Sequence, residues 1–362
     1  MMPDACRGIH VIGAMISSPP PPAREACYKT MHMNLGDPDS YPGLRDAMKR
    51  VISKTSIAAL GRVYPGALTS GATETNILAA LYWRSRGYQR IISFKHAHYS
   101  VWKAASILGM KKVAVESFDE LSKILGPRDL LVLTVGTTET GGIDPIGEAV
   151  ELARRVGAKV HIDAAFAGLI MRWLPNPISI ELDDTIATLA VDLHKLGEAP
   201  IPLGVMLVGR EPMLENLYYS SPYIPSGRQF GLLGSRPACT VFAANRSLEY
   251  LERLFGSKEN MATTLLQETE RLAHSLEEAG YVPAFPMKTP ILCLKHVKIK
   301  MILQALDKRG VKAYRCPRYG GLRMVVMPHH IYEGLLERIE RCLKDIALAG
   351  ALGAEERSVG ER

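Results

Sequence analysis

The chain has 362 residues, of which 47% are hydrophobic, enough for a large core divided between one large and one smaller domain. Its net charge of +7 at pH 7 would suit a nucleic-acid-binding protein, but the sequence has neither a Lys/Arg run nor an aromatic-interleaved basic patch, so no nucleic-acid partner is expected. The apolar stretch 9–16 is too short to span a membrane, and no longer one follows, which predicts neither a membrane anchor nor a signal peptide.

The six cysteines are scattered along the chain, and none belongs to a Cys-x-x-Cys pair. This spacing indicates neither a metal site nor a disulfide framework. We therefore expect a reducing compartment, the cytoplasm. Glutamine is scarce, as in thermophilic proteins.

Alternating strand and helix patterns predict an α/β protein with a mostly parallel sheet and right-handed crossovers. The predicted strands include 90–94, 112–115, 130–135, 159–163, 186–191, 205–208, 281–283, 291–294, 311–315 and 322–326. The predicted helices are 46–60, one that follows the segment 67–76 and ends near 86, 99–108, 146–156, 241–255, 261–279, 299–309 and 331–348. We divide the chain into an extended N-terminal arm (1–40), a large domain (41–240), a small α+β domain (241–350) and a frayed tail (351–362).

A lysine stands just beyond a buried strand, because the apolar run 186–191 leads into Asp192-Leu193-His194-Lys195. Burial lowers the pKa of a lysine, and a neutral amine can attack a carbonyl. A lone lysine in this position is usually a surface residue. Here a second strand, about thirty residues earlier and so roughly one βαβ unit away, ends in an acid.

That second strand ends at Asp163, and the small residues Ala164 and Ala165 follow it. A carboxylate at a strand's carboxyl end points into the crevice where open α/β sheets bind ligands. Small residues beside it allow a flat ligand to lie close. A Schiff-base lysine and an acid that pairs with a pyridinium nitrogen are the protein's part in pyridoxal-phosphate chemistry. Lys195 and Asp163 together therefore predict a pyridoxal 5'-phosphate site.

A helix start at 71–73 is a candidate for the cofactor phosphate. Gly71 allows a ligand to approach the backbone, and free N–H groups at a helix N-terminus bind anions. A simple capped helix would show the same pattern, but in this context we assign Gly71, Ala72 and Thr73 to the phosphate. Thr137, whose hydroxyl follows another strand end, is a further cofactor contact.

The motifs resemble those of the group II pyridoxal-phosphate decarboxylases, and they are most similar to those of the archaeal L-tyrosine/L-aspartate decarboxylases. The segments that carry this resemblance are 34–38, 136–139, 161–166, 192–202 and 322–329. The resemblance implies the fold type I architecture: a large domain with a mostly parallel seven-stranded sheet and a small α+β C-terminal domain. Ala72 departs from the family, in which Thr or Ser is common, and leaves the Thr73 hydroxyl and the backbone as donors.

The resemblance also implies roles around the cofactor. His98, in Ala97-His98-Tyr99-Ser100, aligns with the histidine that stacks on the ring, whereas His96 matches nothing and is expected at the surface. Asp192 and His194 would position the phosphate and Lys195. The proline run at 19–22 has the composition of a linker, but the resemblance places this opening near the active site.

Substrate contacts and assembly are implied in the same way. Tyr223, in the polar loop 218–235, would reach the site of a neighbouring subunit in a homodimer, with Tyr218 and Tyr219 as alternatives. Either Tyr223 or His98 would return a proton to the product. Asn34 would contact the substrate unless it only forms a turn, and Arg323 would bind a carboxylate unless it forms a salt bridge.

The implied activity is α-decarboxylation of a small-molecule L-amino acid. We favour L-aspartate, which gives β-alanine for coenzyme A, because Arg228 and Arg323 could neutralise a second carboxylate that is costly to bury unpaired. L-Tyrosine, which gives tyramine, is the alternative. A carbon–carbon lyase or a tRNA-linked sulfhydrylase would use the same fold. A cofactor-free binding protein is disfavoured by the presence of Lys195, Asp163 and His98.

Overall fold

The computed structural model describes residues 6–359, with side chains up to residue 348. The strands are β1 (Val11–Ile12), β2 (Gly66–Thr69), β3 (Arg90–Phe94), β4 (Lys111–Val115), β5 (Asp129–Thr134), β6 (Lys159–Asp163), β7 (Ile186–Asp192), β8 (Gly204–Val208), β9 (Tyr218–Ser220), β10 (Arg228–Phe230), β11 (Val282–Pro283), β12 (Ile291–Lys295), β13 (Lys312–Ala313), β14 (Arg315–Cys316) and β15 (Gly321–Val325). The helices are α1 (Pro21–Lys29), α2 (Leu44–Leu60), α3 (Ala72–Arg84), α4 (Tyr99–Ile107), α5 (Phe118–Ile124), α6 (Ile146–Val156), α7 (Pro212–Glu215), α8 (Cys239–Phe255), α9 (Lys258–Glu277), α10 (Ile299–Lys308), α11 (Pro328–Tyr332) and α12 (Leu336–Val359). Within the described residues, no helix is both long and apolar enough to cross a membrane.

The larger of two compact units is built on a seven-stranded sheet. It comprises residues 17–138 and 143–261, and its strand order is β2-β8-β7-β6-β5-β3-β4. The strands from β7 to β4 are parallel to their neighbours, whereas β8 runs antiparallel to both β7 and β2. The predicted α/β class with a mostly parallel seven-stranded sheet is thus confirmed. The short strand β2 was not among the predicted strands.

The central strands β5 and β7 are buried along their whole length. Every residue of β5 and β7 is buried, as expected for strands covered on both faces. Apolar residues of α3 and α4 share one core with β3 and β5. Parallel pairing then brings the carboxyl ends of β5, β6 and β7 to one edge, where Asp163 lies between Thr134 and Ala190.

The smaller unit is of the α+β type. It comprises the described residues up to Ile16, the segment 139–142 and the chain from Ala262 onward. Its antiparallel sheet has the order β11-β12-β15-β14, and β1 pairs in parallel with β13. A disulfide joins Cys6 to Cys342 of α12. This bond corrects the expectation, drawn from cysteine spacing, that the chain contains no disulfide.

The structure also differs from the predicted extended arm and its boundaries. Residues 21–29 form α1, which starts with prolines at its first positions, where a missing N–H costs nothing and the fixed φ suits a helix. The compact units divide at residues 16/17 and 261/262 rather than at 40 and 240. α12 continues to Val359, and the end of the predicted tail, 360–362, lies outside the described residues.

Candidate active site at the carboxyl edge of the large sheet

A lysine, a carboxylate and a helix N-terminus meet beyond the end of β7. The Lys195 Nζ lies 3.0 Å from Oδ2 of Asp192, and the lysine side chain is 19% exposed. The other oxygen of the buried Asp192, Oδ1, accepts the N–H of Ala72 at 2.7 Å. His194 Nε2 lies 3.7 Å from the same Asp192 carboxylate. Asp192 therefore connects the lysine to the start of α3.

Gly71 precedes α3 in a conformation and a space that only glycine suits. Its φ is +94°, and a Cβ there would lie 3.1 Å from Cε1 of His194 and 3.4 Å from Oδ1 of Asp192. Thr73, in the first turn of α3, is half-buried. The N–H of Ala72 is bound to Asp192, so its role as a phosphate donor stays a prediction, together with those of Gly71 and Thr73.

Asp163 is buried and accepts a hydrogen bond through each carboxylate oxygen. Oδ1 accepts from the N–H of Ala165 at 3.1 Å, and Oδ2 accepts from the amide of Asn76 at 2.9 Å. Ala165 also packs with Ala72 and Ala190 in a small buried cluster, and its carbonyl accepts the N–H of Asp192 at 3.1 Å. The Ala165 backbone thus links Asp163 to Asp192, which holds the lysine. The small side chains of the cluster leave room for a flat group.

Asn76 of α3 is a site residue that the sequence analysis missed. Its amide nitrogen contacts Ser100 Oγ at 2.8 Å as well as Asp163, and its Oδ1 lies 2.8 Å from Nε2 of His161. Because Oδ1 can only accept, His161 must carry its proton on Nε2. Nδ1 of His161 then accepts the hydroxyl hydrogen of Thr188, 2.7 Å away.

Burial lowers the pKa of His161 to about 4, although the negative charge of Asp163 acts to raise it. The ring is therefore neutral at pH 7, and the hydrogen-bond directions around Asn76 are fixed. The sequence signal for Asn76 was a polar residue inside the apolar pattern of α3, which by itself does not name a partner.

His98 connects to the same network through Ser100. Its Nδ1 lies 2.8 Å from Ser100 Oγ and 3.4 Å from the Ser100 N–H, as the cap of α4. Ser100 Oγ already accepts from Asn76, so its own hydrogen points to His98 Nδ1. In the neutral form of the His98 ring, Nδ1 is then the acceptor and Nε2 carries the proton. His96, which was expected at the surface, is instead partly buried, with Nε2 2.5 Å from the buried Asp144.

A second missed residue, Glu198, holds the loop after Lys195 to the N-terminal arm. Glu198 is buried, and its carboxylate accepts the N–H of Ser18 at 2.7 Å. Ser17 donates its hydroxyl to the carbonyl of Ala199 at 2.6 Å. The Ser-Pro segment therefore contacts the lysine loop, and it does not behave as a free linker.

Two further predicted positions lie in the larger unit. Thr137 is buried beyond the end of β5. Asn34 Oδ1 accepts the N–H groups of Gly36 and Arg236 at 2.9 and 3.0 Å, which is turn chemistry. Their roles toward cofactor and substrate stay predictions.

The remaining predicted residues are Tyr223, Arg228 and Arg323. Tyr223 is 84% exposed in the connection between β9 and β10, a hairpin inside the predicted loop. Arg228 is half-exposed and pairs with Glu215. Arg323 is buried on β15 of the smaller unit, donates Nε–H to the Gly13 carbonyl at 2.7 Å, and its guanidinium lies over the ring of Tyr314.

Comparison with known proteins gives relatives along nearly the whole chain, although no family model matches it. A probable L-tyrosine/L-aspartate decarboxylase of Methanosphaerula palustris is 30% identical over 338 residues, 90% of each protein. A probable L-aspartate decarboxylase of Halobacterium salinarum is 31% identical over 335 residues, 88% of this chain and 91% of that protein.

Solved structures share the fold. A Lactobacillus brevis glutamate decarboxylase matches with a TM-score of 0.78 and 16% identity, over 93% of this chain and 88% of that one. A Burkholderia pseudomallei sphingosine-1-phosphate lyase matches with a TM-score of 0.77 and 20% identity, over 97% and 88%.

Fold, site and relatives together define a pyridoxal-phosphate-dependent enzyme of fold type I. The chain belongs to the archaeal L-tyrosine/L-aspartate decarboxylase family within the group II decarboxylases, and it is an amino-acid decarboxylase. The predicted family, fold class, enzyme class and cofactor are confirmed. The site fits the cofactor: Gly71 leaves space where a side chain would fill it, and Asp163 is an acceptor beside small residues.

Replacing Asn76 should disturb both Asp163 and His161. In Asn76→Leu, buried Asp163 and His161 each lose a partner, which costs about 1–3 kcal/mol per orphaned group. We expect a lower free energy of unfolding and at least about tenfold weaker pyridoxal-phosphate binding, since 1.4 kcal/mol corresponds to tenfold. Denaturant unfolding and cofactor titration measure both. Asn216→Leu, at an exposed asparagine of the α7 end, is the control; equal behaviour of the two variants would contradict the network.

Proposed function

We propose that the protein converts L-aspartate to β-alanine and carbon dioxide, with Lys195, Asp163 and His98 at the reacting centre. The observation that carries this proposal is the continuous chain of contacts from Lys195 through Asp192 and α3 to Asp163. We also propose a use of β-alanine in coenzyme A synthesis, which rests on the family resemblance. The cytoplasmic location stays a prediction; it was drawn from the cysteine spacing, and the Cys6–Cys342 disulfide removes that support.

Lys195 would hold the cofactor, Asp163 would pair with its ring nitrogen, and Gly71 and Thr73 would hold its phosphate. Bound pyridoxal phosphate supplies the electron sink that stabilises the electron pair left when carbon dioxide departs. Asp192, 3.0 Å from Nζ, keeps the amine oriented. His98 would present its Nε2 proton to the cofactor side, because Ser100 occupies Nδ1.

L-Tyrosine decarboxylation is the second candidate function. It is favoured by the Methanosphaerula palustris relative, whose name includes both amino acids, whereas the Halobacterium salinarum relative is named for aspartate alone. A carbon–carbon lyase has less support, because the likeness to the sphingosine-1-phosphate lyase extends to the fold only.

Lys195→Ala should abolish both turnover and the visible absorbance of bound cofactor, because Lys195 is the amine that Asp192 holds at this place among the described residues. Absorbance spectra, carbon dioxide release and the mass shift after borohydride reduction measure the effect. Lys123→Ala, at an exposed lysine on α5, is the control and should behave as the wild type. A cofactor still reducible onto the Lys195→Ala chain would refute the assignment.

The preference for aspartate rests on Arg323. The fork geometry of a guanidinium suits a carboxylate, and the family resemblance assigns Arg323 this role. Burial lowers the pKa of Arg323, although an arginine stays charged. Arg228, which was considered for the same role, is exposed and already paired with Glu215, so it lends this proposal no support.

The ratio of kcat/KM values for L-aspartate and L-tyrosine tests the substrate. We expect aspartate to be favoured, and Arg323→Met to lower kcat/KM for aspartate by about 100-fold, in line with the roughly 2–5 kcal/mol lost when a buried charge pair is broken. Arg318→Met, at a more exposed arginine of the same unit, is the control. Melting curves separate substrate binding from a structural role. A tenfold preference for tyrosine would overturn the choice of aspartate alone.

We further propose a homodimer in which Tyr223 contributes to the partner's site. The support for this proposal is that Tyr223 lies in the β9–β10 connection and is 84% exposed, so its own chain covers little of its ring. Loops of this kind commonly complete an active site.

Tyr223→Phe should lower kcat by about 100-fold if its hydroxyl transfers a proton, since general acid catalysis contributes at least that much. Steady-state kinetics measure the loss, and light scattering measures the mass of the active species. Tyr28→Phe, at an exposed tyrosine of α1, is the control and should leave kcat unchanged. An active monomer would rule out the shared site.

A further inference from the structure

Two cysteines of the larger unit lie with their thiols in contact. Cys27 is in the last turn of α1, and Cys239 is the first residue of α8. Their Sγ atoms are 3.1 Å apart, although 212 positions separate them in the chain. Since a disulfide has an S–S length of about 2.05 Å, a closer approach of roughly 1 Å would bond them.

The backbone on both sides of this pair is held in place. Ala238 donates its N–H to the Met33 carbonyl at 3.1 Å, and Leu35 donates to the Arg236 carbonyl at 2.7 Å. These bonds join the residues just after α1 to the residues just before α8. The two sulfurs are therefore brought together by the packing of two segments and not by one side-chain rotamer.

We infer that Cys27 and Cys239 are a disulfide-forming pair that fastens the N-terminal arm to the cofactor-binding unit. The chain already carries one long-range disulfide, Cys6–Cys342, at the start of the same arm. The two bonds would restrain the arm on either side of the Ser-Pro segment. Long loops gain the most from such a constraint on the unfolded chain.

The bond can form by ordinary thiol–disulfide exchange. Cys27 is partly exposed, whereas burial raises the pKa of Cys239 to about 12. The Cys27 thiolate would attack a small disulfide such as oxidised glutathione and release one glutathione thiol. The Cys239 sulfur, losing its proton, would then attack Cys27 and release the second. The two cysteines lose two protons and two electrons, and the oxidant takes up both pairs.

The cross-link would also reach the active site through the arm. Ser17 and Ser18 bind Ala199 and Glu198 in the loop that follows Lys195. With the arm cross-linked at Cys27, these hydrogen bonds would persist at temperatures at which an arm without the cross-link would detach. This inference does not depend on which amino acid is the substrate, because its test detects a covalent bond between two cysteines.

Peptide mapping of the holoenzyme tests the bond directly. The protein is equilibrated with oxidised glutathione, its remaining thiols are alkylated during denaturation, and it is digested with trypsin without reduction. We expect peptide 25–29 linked to peptide 229–246, because trypsin does not cleave between Arg236 and Pro237, and we expect the link to disappear on reduction. Cys293→Ser should keep the link. Alkylated Cys27 and Cys239, or glutathione on either without the link, would overturn the inference.

Thermal melting tests what the bond does. Reduction should lower the Tm of the wild type by roughly 5–10 °C more than that of Cys27→Ser, which cannot form the Cys27–Cys239 bond. Release of pyridoxal phosphate, followed by its absorbance, should shift to lower temperature in parallel. Equal shifts in the two proteins would show that the pair does not fasten the arm.

Discussion

The Asp192 carboxylate is the interaction on which the rest of the site depends. One oxygen holds the Lys195 amine and the other holds the first N–H of α3, so a single side chain links strand β7, the lysine loop and a helix N-terminus. Two hydrogen-bonded directions leave the carboxylate almost no rotational freedom. The position of the lysine is therefore set by a residue that ends a strand of the large sheet.

A second constraint is that the polar groups under the site are buried and must all be satisfied at once. Asn76 has two donors and one acceptor in use, and each assignment determines the next, to His161 on one side and to Ser100 on the other. An aspartate at position 76 would lose the donors that Asp163 requires. Full satisfaction gives this network one arrangement, which is what a site needs when it must present Asp163 as an acceptor.

The strand-end motifs could be read from the sequence, because in a parallel sheet the ends of successive buried strands meet whatever the details of packing. This is why Asp163, Asp192 and Lys195 lie as expected. Asn76 could not be found in this way, since its partners depend on how α3 and α4 dock. The Cys6–Cys342 bond was missed for a related reason: only short cysteine spacings carry a sequence signature, and this pair is 336 positions apart.

The N-terminal arm shows why composition alone misjudged a segment. A proline run suggests a linker, yet proline is favoured at the start of a helix, and α1 begins there. The role of the arm follows from its contact with the loop after Lys195. Glu198 has a φ of +51°, which costs a residue other than glycine about 1–3 kcal/mol, and its buried carboxylate must also be satisfied. The N–H of Ser18 supplies that partner. The loop that presents Lys195 is thus held in a strained form by the arm, and arm and loop must be ordered together.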